Sequence, residues 1–174
     1  MLQPLVRRTW APKGQTPIHY SWDRHDRLSV ISALAYNVPR ELWQLFFEMK
    51  IHNFCAEDVV DFLKPVAQAY SGKIIVVLDR WSAHRKAIRL LAEQLPGKFE
   101  AEWLPAYAPD LNPVELVWSK TKYGDMANFI PENLAELQET VNKNLSSYAT
   151  KQSLLKGFFR HTNLEPFVSH GKDQ

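Results

Sequence analysis

Lys73-Ile-Ile-Val-Val-Leu-Asp79 constrains this chain more than any other stretch. Five consecutive apolar residues, four of them β-branched, follow Gly72 and stop at an acid. Such a run reads as a strand buried on both faces, as the strands of a parallel sheet are. Asp79 then stands at the strand's carboxyl end, the edge where α/β sheets usually bind ligands. A helical pattern and a second strand over Phe99–Leu104 come next, making a strand–helix–strand unit. Leu104-Pro-Ala-Tyr-Ala-Pro-Asp-Leu-Asn-Pro-Val-Glu-Leu-Val-Trp118 leads out of it.

The flanking sequence supplies the other elements. Residues 1–17 are punctuated by Pro4, Pro12, Gly14 and Pro17 and read as irregular. Ile18, Tyr20 and Trp22 alternate as in a strand, Asp23–Asp26 forms a polar turn, and Leu28–Tyr36 is a second strand. Leu42–Met49 reads as a third strand, with helix as a rival, and the spacing favours an antiparallel meander. After Phe54 the period becomes helical: Val59, Leu63, Val66 and Tyr70 share a face, and Glu57 and Asp58 sit in the first turn. Ser82 is placed to cap the next helix, whose stripe is Ala87, Leu91 and Leu95 and whose end is Pro96-Gly97. Leu134, Leu137, Val141 and Leu145 mark a helix begun by Pro131, and a short helix follows near Ser153–Arg160. This order matches an α/β, ribonuclease-H-like mixed sheet, an antiparallel meander extended by parallel strands and flanked by helices. That fold's first strand is largely missing here, since residues 1–9 are short and poorly patterned.

A chain of 174 residues, 45% hydrophobic and 23% charged, suits a single globular domain rather than a disordered one. The net charge of +2 is unevenly placed, with six Lys/Arg against two Asp in residues 1–40, which leans toward an anionic partner. One cysteine, Cys55, excludes an intrachain disulfide and a cysteine-cluster zinc site, and fits a reducing compartment. No apolar run reaches membrane-spanning length, so a cytoplasmic protein is expected.

Two acids carry the chemical interest, and each has a plain structural explanation. Asp79 is placed to make a turn or cap the following helix. Asn112-Pro-Val-Glu115 is nearly an ideal helix start, with Asn as cap, Pro first and Glu reaching back. Val114, Val117, Trp118 and Thr121 form that helix's buried stripe, however, and Glu115 lies off it, in line with Ser119 and Lys122. Pro105, Pro109 and Pro113 stiffen the approach, which suits a ligand that has to be held rigidly. Converging Asp79 and Glu115 would offer oxygen donors to Mg²⁺ or Mn²⁺, which can activate water against a phosphodiester.

Leu78-Asp-Arg-Trp-Ser-Ala-His84, the proline-rich block through Trp118, and Lys120-Thr-Lys122 together resemble the catalytic domain of DDE-superfamily transposases, in the Tc/mariner-like bacterial insertion-sequence branch. Arg8-Thr-Trp-Ala-Pro-Lys-Gly-Gln-Thr-Pro17 resembles the segment after that family's first acidic strand. The likeness runs from about Arg7 to Arg160. It implies that Asp79 is the second metal-binding acid and Glu115 the third, at a fitting separation. It also implies that the first acid falls ahead of Met1, Asp23 and Asp26 being poor substitutes by position. The family's amino-terminal DNA-binding region would be absent as well, so an amino-terminally truncated single domain over 1–174 is expected.

The resemblance implies a DNA endonuclease and strand transferase acting in DNA transposition and integration. Its partners would be DNA (element ends and target), a full-length transposase or a second copy of itself. Arg80, His84, Arg85, Lys86, Lys120 and Lys122 are candidates for contacting the nucleic acid, against a solvated face as the default for each cation. His84 is placed equally well as a helix-start residue, and the six tryptophans fit core or surface anchoring better than base stacking. The alternative function is a catalytically silent DNA- or protein-binding remnant. A structure-selective nuclease of the same fold is a further reading without a dedicated motif.

Overall fold

The computed structural model describes residues 11–15 and 27–162. The strand expected at Ile18–Trp22, the turn after it and the poorly patterned residues 1–9 lie outside these. Strand β1 (Ser29–Asn37) pairs antiparallel with β2 (Leu42–Lys50) around a 3₁₀ turn at Val38–Arg40, which settles the strand-or-helix question at Leu42–Met49 for the strand. Helix α1 (Ala56–Ala69) follows. Strand β3 (Ile74–Leu78), helix α2 (Ser82–Gln94) and strand β4 (Phe99–Trp103) form the expected unit, its two strands parallel. A 3₁₀ turn at Pro109–Leu111 leads into α3 (Pro113–Ser119), which widens into a π-helical turn at Lys120–Asp125. Helices α4 (Leu134–Ala149) and α5 (Gln152–Arg160) complete the described fold. Antiparallel and parallel strands flanked by helices are the mixed architecture that the element order implies.

The β1–β2 hairpin divides two apolar cores because its side chains alternate between its faces. Leu28, Val30, Leu34 and Tyr36 of its first arm and Trp43, Leu45, Phe47 and Met49 of its second face α3, α4 and α5. Ile31, Ala33 and Phe46 face the opposite way, onto α1 and α2. Leu145 of α4, fully buried in the first core, tests the packing: Leu145→Ala is expected to lower unfolding free energy by about 2–5 kcal/mol, read by denaturant titration. At Trp43 the edge of β2 away from β1 is met by one side chain. Gln152 accepts from the Trp43 N–H at 2.9 Å and donates to the Trp43 carbonyl at 2.8 Å, so its carboxamide stands in for a neighbouring strand. Tyr36 and Phe159 pack on the same Trp43 ring, at 4.5 and 4.7 Å between centroids.

Three local expectations are corrected. β3 is not buried on both faces: Ile75 and Val77 are each 52% exposed, while Ile74, Val76 and Leu78 are partly covered. Among the described residues β3 pairs only with β4, whose Glu100 and Glu102 are exposed in register with Ile75 and Val77. Ser82 does not cap α2 but is its first residue, after Trp81. Pro131 does not begin α4; Leu134 does, capped by Asn133, whose side chain accepts from the Glu136 N–H at 2.9 Å. The end of α2 is as expected, with Gly97 at φ 72° supplying the left-handed turn.

Candidate active site

The two acids leave the parallel strand pair by different routes. Asp79 directly follows β3, and the Leu104 N–H extends the ladder past it by donating to the Leu78 carbonyl at 2.8 Å. Arg80 Nε donates to the Leu104 carbonyl at 3.1 Å, so the exits of β3 and β4 are tied twice. Asp79 Oδ1 accepts the Trp81 N–H at 3.0 Å and lies 2.7 Å from His84 Nδ1. The carboxylate thereby closes a local turn just ahead of α2, whose start has no side-chain cap. The His84 side chain is only 16% exposed and meets the Trp81 ring edge-on at 5.0 Å, whereas the Asp79 side chain is 56% exposed. A pinned oxygen and an open one result: Oδ1 is held from two sides, and Oδ2 has no hydrogen-bond partner among the described residues.

Glu115 stands in the first turn of α3. Asn112 caps this helix as its sequence implies, accepting the Val114 N–H at 3.2 Å. The reach-back role expected of Glu115 is taken instead by the backbone, because the Asn112 N–H donates to the Pro109 carbonyl at 2.9 Å. The exposed Glu115 carboxylate is thus released from capping. It lines a cleft of about 520 Å³ with Asp110, Ser119, Lys122, Tyr123 and His161. Asp79 is not among the residues of that cleft. Asp110 and His161 went unnoticed in the sequence, and His161 carries no local signal, since only the packing of α5 brings it beside α3.

Residues 1–138 match the family described as DDE superfamily endonuclease. The chain belongs to that family. The match spans both Asp79 and Glu115. The chain is also similar to a protein in the crystal structure of the Mos1 Strand Transfer Complex, with a TM-score of 0.60 and 14% identity over 93% of this chain and 47% of that one. At that identity the likeness is one of fold, ribonuclease-H-like, and this chain spans about half the length of that relative. No curated protein matches it.

The cations of this chain separate by what already holds them. Lys86 Nζ lies 2.6 Å from Glu57, whose carboxyl this ammonium holds down to about 2. Lys120 bonds both oxygens of Asp125, at 2.9 and 3.1 Å, and lies over the Tyr148 ring. Burial pushes the Asp125 carboxyl up, but the Tyr148 hydroxyl and Lys120 outweigh it and leave it below the usual carboxylate range. Arg85 is exposed on α2, and Lys122 lines the Glu115 cleft.

The acids fit a hard divalent ion in kind, because both present carboxylate oxygens and Asp79 keeps one to spare. Among the described residues no group of three or more His, Cys, Asp or Glu gathers. One or two carboxylates suffice for an ion of the Mg²⁺ type, which retains waters and takes phosphate oxygens from its substrate.

Proposed function

We propose that this endonuclease is a transposase domain of the Tc/mariner-like insertion-sequence branch, cutting and joining DNA phosphodiesters with Mg²⁺ or Mn²⁺. Asp79 and Glu115 act as its second and third acids and as the metal ligands. One observation carries the reading: the family match covers both acids, and each has carboxylate oxygen that its helix start does not consume. When bound, the cation supplies Lewis-acid activation of water and charge stabilisation at the leaving oxygen. The chain's own part is to place donors. His84 and the Trp81 amide fix one Asp79 oxygen and so aim the other. Asn112 and the prolines around it fix where α3 begins and so where Glu115 stands. Arg85 and Lys122 bind backbone phosphates, an attraction that weakens with added salt.

A second reading, a catalytically silent DNA- or protein-binding domain, is favoured because no group of three or more His, Cys, Asp or Glu able to hold a metal gathers among the described residues. Nicking of supercoiled plasmid separates the two. The leading reading expects relaxed product with Mn²⁺ and none with chelator. DNA binding without any cation-dependent nicking supports the silent domain instead.

A further inference from the structure

Tyr107 lies in the connection between β4 and α3, and its side chain is fully open to solvent, at 103% relative exposure. It is also one of three non-glycine residues at positive φ among those described, at +60°. Both features run against folding stability. A tyrosine ring gains nothing in water that it would not gain in the unfolded chain, and the left-handed region is disfavoured for any side chain with a Cβ. Asn128, at φ 61°, shows the residue type that ordinarily tolerates this conformation. Strain of this sort in an ordered loop gathers at ligand-binding sites.

The loop's anchorage limits what Tyr107 can touch. Leu104, three residues before it, is bonded to Leu78, the residue preceding Asp79. Three residues of chain span at most about 11 Å, so the ring is tethered to the end of the strand pair from which Asp79 projects. Trp81, 43% exposed, stands at the same end of the strand pair. We propose that Tyr107 is a stacking platform for an unpaired DNA base beside the scissile phosphate. The inference rests on the nuclease reading above and adds to it a preference for locally unpaired DNA. Base–aromatic stacking needs only an accessible ring face and is tolerant of sequence, which suits a lone ring on a stiff loop.

The test uses the whole chain and two fluorescein-labelled probes, a duplex with a single-stranded tail and the same duplex blunt. Wild type is expected to bind the tailed probe more tightly. Tyr107→Asn, which suits the left-handed backbone, is expected to lose that advantage by about tenfold and to unfold at the same or a higher temperature. Tyr107→Phe, which keeps the ring, is expected to retain it. Equal binding of the tailed probe by wild type and Tyr107→Asn overturns the inference while leaving the nuclease reading intact. Failure of wild type to bind either probe overturns both. If Tyr107→Asn changes self-association in sedimentation but not DNA affinity, the ring is a protein contact and the proposal is wrong.

Discussion

Asp79→Asn is expected to cut Mn²⁺-dependent nicking by roughly a thousandfold or more while leaving DNA binding and folding nearly intact. The choice of asparagine matters. Its carbonyl oxygen can still accept from the Trp81 amide and from His84, the two groups now on Oδ1, so the turn leading into α2 is kept. Its amide nitrogen, in place of Oδ2, neither carries charge nor donates a lone pair to a hard cation. A purely structural Asp79 would tolerate this exchange, whereas a ligand would not. Plasmid relaxation measured beside thermal unfolding of the same samples gives both quantities. Nicking that survives in Asp79→Asn removes this carboxylate from the chemistry.

The second large effect concerns His84. Its Nδ1 lies 2.7 Å from Asp79 Oδ1 and its side chain is mostly covered, so on the proposed reading it positions the acid. Groups that orient a metal ligand in this way are worth about 10–100-fold in metal affinity or activity. His84→Ala is therefore expected to weaken Mn²⁺ binding by that order. Two conservative variants then separate positioning from mere packing. Asparagine can place an N–H close to where Nδ1 sits and should recover most of the loss. Glutamine carries its amide one carbon further out, near the Nε2 position, and should not. Mn²⁺ titration calorimetry reads the effect without relying on turnover. Equal losses in the asparagine and glutamine variants would point to ring packing against Trp81 as the role of His84.

Several elements were legible because their signals are local. The Ile74–Leu78 run, the helical period of α2, and the Asn112-Pro113 start of α3 each depend on residues a few positions apart. The errors have a common origin in competition between neighbouring groups. Ser82 has the right chemistry for a cap, but the turn that Asp79 closes on the Trp81 amide lets the helix begin one residue earlier, at Ser82 itself. Pro131 suits a first turn, yet Asn133 holds the Glu136 amide and starts the helix at Leu134, three residues later. Glu115 fitted a capping box, until the 3₁₀ turn before it satisfied the Asn112 amide through the backbone. The one-sided exposure of β3 could not be read from its composition, because it depends on what the rest of the chain lays against each face. For the same reason the place of His161 in one cleft with Lys122 and Glu115, and the pairing of Lys86 with Glu57 and of Lys120 with Asp125, belong to the tertiary structure alone.

The central claim is that Asp79 and Glu115 serve one cation. A double-mutant cycle on Mn²⁺ affinity tests it most directly, with Asp79→Asn, Glu115→Gln and the combined variant titrated by calorimetry. For a shared ion, each single change removes most of the affinity and the second removes little more, leaving an interaction between the two of about 0.5–3 kcal/mol. Losses that simply add, or a Glu115→Gln variant that binds Mn²⁺ as wild type does, would contradict it.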